Sequence, residues 1–118
     1  MKNLTLFFIA FFFTSNLIAQ DTIAGIWLTG QENTKIETYQ KEGLWYGKII
    51  SSDNPKAKIG VDILRGFKQV KGEWKGKLYA IKRGKEIDAV IKPATDNLEI
   101  NVTAGFFTKT LEWKRNNQ

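Results

Sequence analysis

The chain has 118 residues, 42% of them hydrophobic, with 18 Lys and Arg against 12 Asp and Glu, a formal charge of +6 and neither histidine nor cysteine. That inventory excludes disulfide staples, thiol nucleophiles, histidine general bases, a lipidated N-terminal cysteine and the usual zinc ligand sets. The positive charge favours anionic surfaces or ligands, yet the lysines are spread over every segment, which is the pattern of a solvated surface.

The N-terminus reads Met1-Lys2-Asn3, then an apolar run over residues 4–13, then a stretch ending in Leu17-Ile18-Ala19-Gln20. A basic start, a short apolar centre and a small residue at the end make up a secretory signal peptide over residues 1–19, cleaved after Ala19, with cleavage after Gln20 as the near alternative. The apolar run is too short and too interrupted for a good membrane span, which takes about 20 apolar residues, and an uncleaved anchor is the lesser alternative. The expectation is export, to the periplasm or out of the cell. Residues 20–118 then form one domain whose core must hold without cross-links.

Beyond Gln20, short β-type runs alternate with turn residues, and no stretch carries a helical period. Predicted strands cover residues 25–29, 34–40, 44–52, 61–68, 73–81, 86–92, 97–103 and 108–115. Successive side chains of a strand point to opposite faces. In residues 73–81, Trp74, Gly76, Leu78 and Ala80 oppose Glu73, Lys75 and Lys77. In residues 86–92, Ile87, Ala89 and Ile91 alternate with Glu86, Asp88 and Lys92, with Val90 breaking the polar face. In residues 97–103, Leu98, Ile100 and Val102 share a face opposite Glu99, Asn101 and Thr103, and Leu111 and Trp113 do the same in the last run. Most links are a few residues long and contain glycine or proline, so neighbouring strands join as hairpins; parallel strands need long crossovers. The longest linker covers residues 53–60. Hairpin-linked strands with one apolar face hide it by closing on themselves. The predicted fold is all-β, an eight-stranded antiparallel up-and-down barrel, whose interior side chains just fill or which holds one small ligand.

The chemistry-bearing residues are few. Trp27, Trp45, Trp74 and Trp113 fall on inward faces, and the candidate lining of a pocket is Trp45, Ile49, Phe67, Trp74, Leu78, Ile100 and Leu111. Aromatic and aliphatic side chains in that position either line an apolar pocket or fill the core. Alternation assigns Asp88 outward, leaves the facing of Asp62 open, and sends Tyr39, Tyr46 and Tyr79 to rims or the outer face. Asn101-Val102-Thr103 matches a glycosylation pattern but lies in a strand, a poor acceptor. There is no phosphate-cradling loop, no basic reader stripe for nucleic acid, and no metal or cofactor set; with so thin an acid–base toolkit, catalysis is not expected. Two readings remain: a binding module for a small apolar or amphipathic ligand, and a filled-barrel envelope protein that meets protein partners through its outer face or an edge strand.

Gly25-Ile26-Trp27 opens the first strand and Trp113-Lys114-Arg115 ends the last. This resembles the closure signature of lipocalin-type (calycin) barrels, in which the arginine lies over the first-strand tryptophan. The resemblance implies that Gly25, Trp27, Trp113 and Arg115 close one end here. A guanidinium on an indole face contributes about 0.5–2 kcal/mol; in the plainer alternative Arg115 is a solvated tail residue and Trp27 ordinary core. A wider resemblance, over residues 24–115, is to the bacterial secreted family catalogued as domain of unknown function 2147. It is carried by Gly25-Ile26-Trp27, Tyr46-Gly47-Lys48-Ile49, Asn54-Pro55, the segment 60–67, Trp74-Lys75-Gly76-Lys77-Leu78-Tyr79, Gly84, Leu98-Glu99-Ile100 and Trp113-Lys114-Arg115. That family implies a lipocalin-like barrel, export from a bacterial cell and no established activity. The chain departs from it at Ile81-Lys82-Arg83-Gly84, where an Asp-Pro usually precedes the glycine, at Ile87-Asp88, where a tyrosine is usual, and in a shorter loop after Asn54-Pro55.

Overall fold

The structure, a computed structural model, describes residues 22–116; the signal peptide expected at residues 1–19 lies outside them. The strands are β1 (Ile26–Leu28), β2 (Lys35–Lys41), β3 (Leu44–Ser51), β4 (Asp62–Val70), β5 (Glu73–Ala80), β6 (Lys85–Pro93), β7 (Asn97–Ala104) and β8 (Phe107–Arg115). Each pairs antiparallel with the next, and β1 pairs with β8 to close an up-and-down barrel. Each predicted run corresponds to one of these strands, with ends moved by up to two residues. β4 runs on to Val70 because Lys71 and Gly72 both take positive φ, +54° and +86°, and so make the tight two-residue turn whose twist suits a hairpin. Glu42 and Gly43 do the same between β2 and β3.

The inward faces supply a single core containing Ile36, Ile49, Leu64, Phe67, Ala89, Ile91, Leu98, Ile100 and Val102. β4 breaks simple alternation. Leu64 and Phe67 are both buried although three residues apart, because the register with β5 shifts between Arg65 and Lys68. Gly66, at φ +66°, lies within that bulge, which turns Phe67 inward. The neighbouring strands β5 and β3 make room for it and for Leu64. A Cβ on Gly76 would stand 2.7 Å from the Phe67 ring, and one on Gly47 would stand 2.9 Å from Ile36 and 3.0 Å from Leu64.

Closure is uneven. β7 and β8 pair along their whole length, from Asn97↔Lys114 to Ala104↔Phe107, whereas β1 meets β8 only at Trp27↔Arg115 and Leu28↔Lys114. The up-and-down order gives two ends. The near end carries residues 22–25, the 42–43, 71–72 and 94–96 turns, and Arg115. The far end carries the 29–34, 52–61, 81–84 and 105–106 loops.

Candidate functional site

The near end is locked at the β1–β8 seam. The Arg115 guanidinium lies 4.3 Å from the centre of the Trp27 ring. Its Nη1 donates to the carbonyl of Ala24 and its Nε to the carbonyl of Thr95, each at 2.9 Å. Trp27 is fully buried and Trp113 nearly so. Gly25 sits under the guanidinium with φ +136°, and a Cβ there would stand 2.6 Å from Nη1. This backbone position favours glycine on both counts. Residues 22–25 are tied down from within by Thr38, the one buried polar side chain among the described residues. Its hydroxyl accepts from the Gly25 amide and donates to the Ile23 carbonyl, each at 2.8 Å. The Trp27 indole also donates to that carbonyl, at 3.0 Å. Sequence reasoning missed Thr38; its only signal is a threonine on the inward face of a strand.

The seven candidate lining residues divide into two groups. Ile49, Phe67 and Ile100 are 0% exposed and Leu78 is 8% exposed. A side chain that no water-sized probe touches lines no open cavity, so this layer is packed. Trp45, Trp74 and Leu111 are half-buried and pack against it. Trp45 and Trp74, each the second residue of its strand, meet edge to face near the near end, with ring centres 6.3 Å apart. Trp74 and Leu111 lie on one register row, Trp74↔Ile91↔Ile100↔Leu111, that crosses four strands. The indole Nε1 of Trp74 is buried and has no hydrogen-bond partner among the described residues. An unmatched buried donor costs about 1–3 kcal/mol, which makes it the least settled polar group in the interior.

With this geometry the comparisons with known proteins agree. A family model described as an uncharacterized protein conserved in bacteria, DUF2147, matches residues 25–115. The chain belongs to the DUF2147 family. A solved protein of the human pathogen Helicobacter pylori, described as belonging to the lipocalin family, is similar in fold, with a TM-score of 0.65 at 24% identity over 82% of this chain and 84% of that one. No curated protein matches the chain.

The ion pairs Arg65–Glu86 and Lys77–Asp88 of this DUF2147 barrel, and the Tyr39–Asp62 bond, lie on its outer face. Asp88 points outward and pairs with Lys77, whose ammonium it pushes up in pKa through a hydrogen bond and its charge. Asp62 accepts from the Tyr39 hydroxyl at 2.7 Å. That bond, with some burial and the Asp62 charge, pushes the Tyr39 phenol up to about 12, because ionising it would set two anions together. Tyr39 also stacks on Tyr46, ring centres 5.7 Å apart, with the Lys48 ammonium 5.4 Å from its ring. Arg65 lies 4.2 Å over the Tyr79 ring and pairs with Glu86. These partners sit on neighbouring strands, so no spacing within one segment announces them. Among the described residues, no group of three or more Asp or Glu side chains is arranged to hold a metal ion.

Proposed function

We propose that this DUF2147 protein is an exported, non-catalytic binding protein that takes a small apolar or amphipathic ligand against the inner aromatic pair. The observation that carries the reading is the Trp45–Trp74 pair, half-buried on a lipocalin-like barrel, with the Trp74 indole N–H unmatched. Indole faces supply apolar contact, and a ligand that parts the pair enough to uncover the buried Trp74 N–H gains from offering it an oxygen, such as a carboxylate, ester or hydroxyl. Trp45, Trp74 and Leu111 make the contact surface, and Ile49, Phe67, Leu78 and Ile100 are the packed layer behind them. Export rests on the signal-peptide reading of residues 1–19 and predicts a recovered protein that begins near Gln20.

Tryptophan fluorescence tests the proposal. Titration with fatty acids and lysophospholipids is expected to give saturable one-to-one quenching or a blue shift, weakened in Trp74→Phe. A flat response across that panel refutes it. The second reading, a filled-barrel envelope protein meeting protein partners, is favoured by the fully buried Ile49, Phe67 and Ile100 and by the occupied space over Gly47 and Gly76. A flat titration leaves that reading standing.

A further inference from the structure

Among the described residues the exposed large apolar side chains are Ile59, Phe106 and Phe107, and all belong to the far end of the barrel. Phe106 is 109% exposed and Phe107 54%, at the tip of the β7–β8 hairpin. Paired antiparallel beside that hairpin, β6 begins with Lys85, after a turn that holds Lys82 and Arg83. Lys109 follows two residues after Phe107. None of these four cations is in an ion pair among the described residues, while the nearby acids Glu86 and Asp88 are taken up by Arg65 and Lys77. Lys77, Arg83 and Lys85, together with the ion-paired acids Glu86 and Asp88, border an open groove of about 430 Å³ on this rim.

We propose that this rim docks on an anionic lipid surface. Phe106 and Phe107 enter the boundary between headgroups and acyl chains, and Lys82, Arg83, Lys85 and Lys109 face the lipid phosphates. Apolar tips ringed by basic side chains are what binding to an anionic bilayer surface requires, and uncompensated lysines and arginines near that surface each add attraction. A ring as exposed as Phe106 stands on a convex tip with no wall of the described residues beside it. A bilayer deforms around such a tip, whereas a protein partner must offer a matching pocket. Across the mouth Ile59 follows Lys56 and Lys58 in the chain, but Glu32 and Asp53 share that side, and among the described residues their carboxylates are hydrogen-bonded only by asparagine amides. The contact therefore centres on the β5–β6 and β7–β8 hairpins. It does not depend on a ligand at Trp45 and Trp74.

Vesicle co-sedimentation tests the proposal, with protein recovered from its host, its N-terminus read by mass spectrometry, and every variant carrying that same N-terminus. Binding is expected to vesicles of phosphatidylethanolamine with phosphatidylglycerol and to fall as salt is raised, since salt screens surface charge. Phe106→Ser with Phe107→Ser should weaken it by about tenfold or more, and Lys82→Glu with Arg83→Glu and Lys85→Glu by at least about tenfold. Circular dichroism checks that each variant is folded; these side chains are exposed, so the barrel should not change. Equal binding to phosphatidylethanolamine alone, no binding at low salt, or binding indifferent to both sets of substitutions overturns the proposal. So does a lipid-free dimer that the phenylalanine substitutions disperse in a protein that ignores vesicles.

Discussion

Replacement of Arg115 by alanine probes the seam that closes the barrel. β1 and β8 share only two register pairs, and one of them, Trp27↔Arg115, carries the guanidinium lid. The substitution removes a cation over an indole, worth about 0.5–2 kcal/mol. It also removes two hydrogen bonds from a charged donor, to the carbonyls of Ala24 and Thr95. Such bonds contribute about 1.5–3 kcal/mol each at full strength; here the Thr95 carbonyl is exposed and regains water. The net loss expected is about 2–3 kcal/mol. For a domain of this size that lowers the melting temperature by roughly 10–20 °C. Thermal melts and urea titrations followed by circular dichroism measure it, with Lys114→Ala, an exposed neighbour, as the control. Arg115→Lys should recover less than half, since an ammonium has no planar fork to stack and bond at once. Gly25→Ala sharpens the test, because its Cβ would stand 2.6 Å from Nη1. Part of its cost is eviction of the guanidinium, so in the Arg115→Ala background it should cost about 1 kcal/mol less. A folded Arg115→Ala protein within about 0.5 kcal/mol of the parent would refute the lid as a source of stability.

Three further outcomes follow from the packing. Gly76→Ala drives a methyl to 2.7 Å from the Phe67 ring and 2.9 Å from the Arg65 carbonyl oxygen; a loss of about 2–3 kcal/mol is expected by urea titration. Thr38→Val strands the Gly25 amide and leaves the Ile23 carbonyl with only the Trp27 indole; a loss of about 2 kcal/mol is expected, with faster amide exchange at Gly25. Ultraviolet titration should show the Tyr39 phenol ionising near 12, above the ordinary 10.0, and Asp62→Asn should bring it back toward that ordinary value. Because the folded phenol is the weaker acid, its contribution to stability is complete below pH 10 and is lost as pH rises through about 12, so the parent's advantage over Asp62→Asn should shrink in that window.

Much of the barrel was legible because a strand's period of two writes its facing into the chain. Leu98, Ile100 and Val102 opposite Glu99, Asn101 and Thr103 give one face to the core and one to water, and short glycine-bearing links dictate hairpins. Asp88, assigned outward on that pattern, stands in solvent beside Lys77. The same rule fails at β4, where the bulge between Arg65 and Lys68 turns two residues three apart to the same side. The closure residues drew their meaning from the family resemblance, since Gly-Ile-Trp and a terminal arginine have no relation until the ends of the chain meet.

Outside β4, alternating polarity determined which side chains of this protein face inward, and turn chemistry determined the order in which its strands pair. Tertiary structure alone decided the register of β4 against β5, hence that Phe67 fills the space over Gly76, and that Trp74 keeps an N–H with no partner among the described residues. It also decided that Phe106 and Phe107 share a rim with Lys82, Arg83 and Lys85. The reason is that facing is a local property of each strand, whereas distances across a barrel and neighbours around its mouth depend on the register of every strand at once.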